Sequence, residues 1–237
     1  MIDVERLRRA FPRHRIEYYA TIDSTMRAAA GLEPGSVVLA NEQTAGQGRH
    51  GNAWHSEADN GIYCSLVLKP APLLTMALGL AAAETLAGAT GLACDLRWPN
   101  DVMLGGKKIA GILVQLAHGA AIAGIGINVN HAAFPPELMS EATSLRLYSG
   151  RVWAREEILL LLLPAIERFA AMESEAILRL FTEGSSYAAG RRVTVDQPDG
   201  TVEGVTAGLN PDGYLVVRKD DGTDTLIVAG GVRAAGA

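Results

Sequence analysis

The 237-residue chain contains few features that narrow its chemistry at once. Two cysteines, Cys64 and Cys94, sit in separate apolar runs, which excludes a disulfide scaffold and a cysteine-rich metal centre. They read as buried thiols of a cytoplasmic protein. Cationic excess is absent too. A formal net charge of -5 argues against broad nucleic-acid binding, though not against a local basic site for a small anion. No apolar run is long and clean enough to span a bilayer. Residues 71–94 come nearest, but Glu84 falls inside them, so a buried amphipathic helix is expected there. The run at 158–163 is too short, and the opening MIDVERLRRAFPRHR lacks the apolar core of a signal peptide. The expectation is a soluble cytoplasmic protein with one sizeable core and room for a small second module.

Within those limits the chain alternates strand-like and helix-like segments. Asp23 and Ser24 are both good N-caps for a short helix through MRAAA toward Gly31. SVVLANE at 36–42 and GIYCSLVLK at 61–69 read as buried strands, and 73–90 as a helix. VML, GGKK and IAGILVQL make a hairpin turning at Gly105-Gly106, and AAIAGIGINVN follows as another strand. From 153 to 181 the pattern is helical, with a kink or break expected at Pro164. After residues 184–186 the character changes. Four short β-like runs between 191 and 232, punctuated by QPDG, NPDG and DDG, suggest a barrel of some 45 residues docked on the main domain.

Three stretches carry chemistry. Residues 44–56 read TAGQGRHGNAWHS, glycine-rich and cationic but without a P-loop lysine. Residues 97–115 read RWPNDVMLGGKKIAGILVQ. Asn100 and Asp101 could form only an Asx turn, and Lys107 and Lys108 could be solvated hairpin charges. Strand alternation, however, places the two lysines on opposite faces, so one should point inward and help form an anion site. Residues 124–130 read GIGINVN, which fails as a dinucleotide fingerprint because Val129 stands at the third glycine position. Its small residues suit either plain β-core or close ligand approach, with Asn128 offering an amide.

In that order and spacing, the three stretches resemble the catalytic domain of biotin protein ligases. TIDSTM at 21–26 is similar to that family's opening Ser-Thr motif, and 190–233 to its SH3-like C-terminal domain. The resemblance implies an α+β fold: a central mixed β-sheet catalytic domain with flanking helices (residues 1–186), followed by a small SH3-like β-barrel domain (187–237). It implies an enzyme that joins biotin to ATP as biotinyl-5′-adenylate, with Mg²⁺, and transfers the biotinyl group to one lysine of a biotin carboxyl carrier protein. The glycine loop would then fold over a mixed anhydride.

The same resemblance assigns residues. Ser24, Thr25 and Gln43 would hydrogen-bond the biotin ureido ring, with Met26, Gln47, Gly48 and Gly111 also at biotin. Gly111 would let a backbone group reach the ligand. Arg49 would retain the adenylate, while Gly46 and Gly48 let the loop close. Trp54 would cap the adenine or fix the closed loop, and Asn100 and Asn128 would lie at the nucleotide. Lys108 would contact the biotin carboxylate and the α-phosphate. Asp101 would orient the incoming lysine or accept its proton, so its Asn variant should spare adenylation more than transfer. No dedicated metal cage is expected. The chain departs from the family pattern at Met26, where Asn is common, at Gln47 and Asn52, where arginines occur, and in ending AGGVR; Arg233 is carried over on that basis only.

About twenty residues precede the Ser-Thr motif, too few for a winged helix-turn-helix, so a form without DNA binding is expected, and no membrane partner. Two other readings stand beside this one. A lipoate or octanoate ligase or transferase of related fold would ignore biotin, and a non-catalytic biotin or adenylate sensor would bind biotin without turning over ATP. A homodimer through strand edges is left open.

Overall fold

The computed structural model describes residues 2–138, 141–197 and 200–235. A first helix, α1 (Val4–Ala10), leads to β1 (Arg15–Ile22), the short α2 (Thr25–Ala29) and β2 (Ser36–Gln43). The glycine-rich loop follows, then β3 (Gly61–Leu68), α3 (Leu74–Thr90), β4 (Asp95–Arg97), β5 (Asp101–Leu104), β6 (Lys107–Ala117) and β7 (Ala120–Asn128). Three helices, α4 (Leu145–Ser149), α5 (Arg155–Ala170) and α6 (Ser174–Glu183), close this part. The chain ends in β8 (Ala189–Gln197), β9 (Gly200–Leu209), β10 (Leu215–Arg218), β11 (Asp224–Ile227) and β12 (Gly231–Ala234).

The first seven strands form one mixed sheet in the order β1-β2-β3-β7-β6-β5-β4, with β1 and β2 parallel and the other pairs antiparallel. Period-two alternation divides the apolar side chains between two faces. Val37, Leu39, Leu66 and Ala123 join the main core with α3 and α5, whereas Val38, Val67 and Ile122 join a small cluster under α2. One face is therefore thickly covered and the other only thinly. Beyond α2 the thinly covered face borders a cavity over Gly111, Gly124 and Gly126, where a ligand can lie on the sheet.

Several expectations need correction. Helix α3 is buried on nearly every side through Ala82 rather than amphipathic, because it lies between the sheet, α5 and α6. Helix α5 runs through Pro164 without a break. The proline sits on the exposed side, where the carbonyl one turn earlier can turn to water, and the break comes at 171–173. Cys64 is buried in β3, but Cys94 is only half-buried in the connection before β4. Among the described residues the C-terminal module has five strands rather than four.

That module is an antiparallel sheet in the order β11-β10-β9-β8-β12, matching the SH3-like fold, with β11 and β12 at its edges. The NPDG and DDG turns connect β9 to β10 and β10 to β11; Pro198 and Asp199 of QPDG lie outside the described residues. Val193, Val195, Leu215, Val217, Ile227 and Val232 join the main core, so the small sheet is docked. The indole Nε1 of Trp98, beside the cis peptide Trp98-Pro99, donates to the Gly213 carbonyl at 2.9 Å. Among the described residues no helix is long and apolar enough to cross a membrane.

Candidate active site

Sheet register builds the floor of the site. Gly111 of β6 pairs with Asp101 of β5 on one side and Gly126 of β7 on the other, and Gly126 pairs with Tyr63 of β3. One row across four strands therefore carries two glycines, a carboxylate and a phenol. A Cβ at Gly126 would fall inside the Trp54 indole, and one at Gly111 would lie 2.8 Å from that ring and 3.0 Å from Lys108 Cε. These two positions need glycine because other groups lie directly on the backbone.

Lys108 reaches this row through an irregularity. Simple alternation would put Lys107, Ile109 and Gly111 on one face. Instead the register slips between Val102 and Met103, where Val102 pairs with Ala110 and Met103 with Lys108. This bulge re-aims the strand, so Lys108 lies on the Gly111 side while Lys107 is exposed. The expectation of one inward lysine holds.

The Lys108 Nζ stands 2.5 Å from Asp101 Oδ1 and 5.3 Å from the centre of a Trp54 ring. Asp101 Oδ2 accepts from Arg97 Nη2 at 2.7 Å and Nε at 3.2 Å, so one carboxylate is shared by two cations. Arg49 extends from the glycine loop, its Nη1 donating to Asn100 Oδ1 at 3.1 Å and the Gly230 carbonyl at 3.4 Å. Burial moves the Arg49 pKa down, opposed by the Asp101 charge. Asn100 is no simple Asx turn, since its Nδ2 donates across the hairpin to the Ile112 carbonyl at 3.0 Å.

At the other end the groups are neutral. Gln43 Oε1 accepts from the Thr25 amide at 2.8 Å and from Thr25 Oγ1 at 3.0 Å, while Ser65 Oγ donates to Thr25 Oγ1 at 2.8 Å. Gln43 Nε2 donates to Ser56 Oγ at 2.9 Å. Ser24 is the N-terminal flank of α2 but does not cap it; its Oγ is buried with no partner, as is the Trp54 Nε1. The glycine loop is a closed hairpin. Gln47 bridges Ala53, the Gly48 amide donates to the Asn52 carbonyl at 2.7 Å, and Arg49 opens a short 3₁₀ turn.

Between the neutral and cationic ends lies a cavity of about 210 Å³, lined by Thr25, Met26, Gln43, Gln47, Gly48, Arg49, Trp54, Asn100, Asp101, Lys108 and Gly111. A second cavity of about 690 Å³ begins on the far side of Trp54. Gln43, Gly46, Trp54, Lys108 and Asn128 line it, with Phe134, Glu137 and Glu141 on its wall. Most expected residues thus converge. Asn100 and Asn128, expected together at one ligand, lie in different cavities, and Ser24 lines neither, though its neighbour Thr25 lines the first. Arg233 pairs with Asp196 at 2.5 Å on the exposed side of a neighbouring depression.

Sequence reasoning missed Arg97, Ser65, Tyr63, and the Gly230-Gly231 backbone that lines the first cavity from the small sheet. Arg97 had a signal: a hairpin across Pro99-Asn100 pairs it with Asp101. The others depend on strand pairing and docking, which no local pattern encodes.

Residues 16–131 match the biotin/lipoate A/B protein ligase family, and residues 189–232 match the biotin protein ligase C-terminal domain. A bifunctional ligase/repressor BirA of Bacillus spizizenii is 33% identical over 90% of this chain and 72% of its own length. A biotin–[acetyl-CoA-carboxylase] ligase of Paracoccus denitrificans is 33% identical over 89% of this chain and 97% of its own. The structure of a biotin protein ligase from Aquifex aeolicus in complex with biotin and ATP superposes with a TM-score of 0.85 at 29% identity, covering 93% of this chain and 99% of that one.

Proposed function

The chain belongs to the biotin protein ligases of the biotin/lipoate A/B protein ligase family, and from that premise we infer that it is an ATP-dependent ligase that activates biotin as biotinyl-5′-adenylate. It then transfers the biotinyl group to one lysine of a biotin carboxyl carrier protein. The observation that carries this reading is the division of one cavity into a neutral hydrogen-bonding end and a cationic end, Lys108 and Arg49, over a floor of glycine backbone.

The neutral end suits the ureido ring of biotin, which needs matched donors and acceptors in an otherwise apolar pocket. Ser24, Thr25 and Gln43 take that role, Met26 packs beside them, and Gln47, Gly48 and Gly111 border the ligand. Ser24 Oγ is supported by having no protein partner. The valeryl carboxylate then points toward Lys108 and Arg49. In the first step a carboxylate oxygen attacks the α-phosphorus, a P–O bond forms, and the α–β bond breaks to release pyrophosphate. Two anions must meet, and the two cations offset their repulsion in a site already organised to receive them.

In the second step a carrier lysine attacks the acyl carbon. AMP leaves with the bonding electrons, and the amine proton passes to a base or to solvent. A lysine with pKa near ~10.4 is almost wholly protonated at neutral pH, so it must be deprotonated to react. Asp101 takes the role of orienting that amine, a reading supported by its position beside Lys108 in the same cavity. Because Asp101 also holds Lys108, replacing it disturbs both steps, transfer the more.

Gly46, Trp54, Asn100 and Asn128 are assigned to the nucleotide, Trp54 as the wall between the two cavities. Mg²⁺ arrives with ATP. Among the described residues Asp101 is the one carboxylate lining the first cavity, and Glu137 and Glu141 border the second, a sparse set that suits an ion held mainly by phosphates. Residues 1–186 form the catalytic unit and 187–237 the small domain, whose Gly230 carbonyl helps hold Arg49. The protein works in the cytoplasm, without DNA or membrane partners.

The test is intact-mass analysis of a biotin carboxyl carrier domain incubated with the enzyme, biotin and MgATP. One biotinyl addition is expected, lost when the acceptor lysine is replaced by arginine. An unmodified carrier would contradict the reading.

A further inference from the structure

Beyond the ligation chemistry, three ligand-type side chains converge where the glycine loop rejoins the sheet. His55 and Glu57 leave the loop two residues apart, while Ser56 between them turns inward to Gln43. His131 follows β7. One nitrogen of each imidazole and a Glu57 carboxylate oxygen lie within 4.8 Å of one another. Phe134 stacks on the His131 ring at 5.0 Å and meets His55 edge-on at 6.1 Å, giving the cluster an apolar cover.

The hydrogen bonds around His131 fix its tautomer. The Tyr63 hydroxyl donates to the Glu57 carbonyl at 2.8 Å, so toward His131 Nε2, 3.3 Å away, it can only accept. The ring proton therefore sits on Nε2 and the lone pair on Nδ1. Nδ1 is buried without a hydrogen-bond partner, and His131 as a whole is fully buried. An imidazole held through one nitrogen with the other lone pair free is the arrangement that precedes metal ligation.

We propose that His55, Glu57 and His131 bind one divalent cation of the Zn²⁺ class. Two imidazoles and a carboxylate suit a borderline ion, and three protein ligands leave a fourth position for water. Mg²⁺, which demands oxygen ligands, would not choose this set, so the site is separate from the ion carried by ATP. The cation ties the exit of the glycine loop to the segment after β7, beside the second cavity that His55 and Phe134 line.

The experiment uses untagged full-length protein stripped with chelator, titrated with Zn²⁺ by calorimetry and with Co²⁺ by visible absorption. One equivalent is expected to bind with a rise in Tm, weakened at least ~10-fold in His55→Ala and in Glu57→Gln, as loss of one ligand requires. Cys94→Ser should bind like wild type. His131→Ala removes a buried ring and can fail to fold, so the two more exposed ligands carry the test. Absence of stoichiometric uptake by wild type, or uptake unchanged in both His55→Ala and Glu57→Gln, would overturn the proposal.

Discussion

Replacing Lys108 by Met keeps most of the side-chain stem over Gly111 and Trp54 but removes the charge. Positioned electrostatic donors of this kind are worth about 100–1,000-fold in rate, or roughly 2.7–4.1 kcal/mol of transition-state stabilisation. The effect on folding should be far smaller. The Lys108–Asp101 pair is partly open to solvent, with side-chain exposures of 27% and 13%, and Asp101 keeps both contacts from Arg97. A partly screened ion pair contributes about 1 kcal/mol, which for a chain of this size moves Tm by roughly 2–4 °C. Biotin-dependent ATP–pyrophosphate exchange, read beside a thermal melt, separates the two effects. The expected outcome is a 100–1,000-fold loss of exchange with a melt almost unchanged. If Lys108→Met exchanged pyrophosphate within about threefold of wild type, the electrostatic role would be refuted, since the smallest effect expected of such a donor is far larger.

Four further outcomes follow from the same geometry. A Cβ at Gly46 would meet Ser56 Oγ and the Trp54 carbonyl, each at 2.7 Å, so Gly46→Ala should cost about 1–3 kcal/mol in denaturant unfolding and weaken calorimetric biotin binding. Thr25→Val leaves the buried Ser65 hydroxyl without its acceptor, and should destabilise by about 1–3 kcal/mol while lowering biotin affinity. Arg97→Met frees Asp101 Oδ2; kcat should fall about tenfold with biotin affinity little changed, because a positioning contact behind the reacting groups is lost. Burial raises the Cys64 thiol pKa from 9.0 to about 12, so it stays neutral in the fold while the unfolded chain ionises from about pH 9. The unfolded state then binds fewer protons and stability falls as pH rises, by about 2 kcal/mol at pH ~10.5; Cys64→Ala should flatten that slope in pH-dependent urea melts.

The parts of this molecule legible in its sequence are those written in local pattern. The compact apolar runs of β2, β3 and β7, buried almost throughout, and the turn at Gly105 and Gly106, both with positive φ, stand where run length, β-branched content and turn chemistry place them. The gathering of Arg49, Asp101 and Lys108 was legible only as a constellation of three motifs, because the register that joins them is non-local. The bulge after Val102 decides which lysine faces the glycine floor, and nothing in GGKKIAG marks it. Pro164 misled because its effect depends on the side of the helix it occupies, which packing sets. Gly230 meets Arg49 across 181 positions of chain, by docking of two sheets, and no window of sequence contains both.

Pyrophosphate exchange with ATP and Mg²⁺, run in parallel with biotin, lipoate and octanoate, tests the central claim most directly. Exchange with biotin alone, abolished in Arg49→Ala, is the predicted result. Exchange driven by lipoate or octanoate, or biotin binding with no exchange at all, would contradict the account.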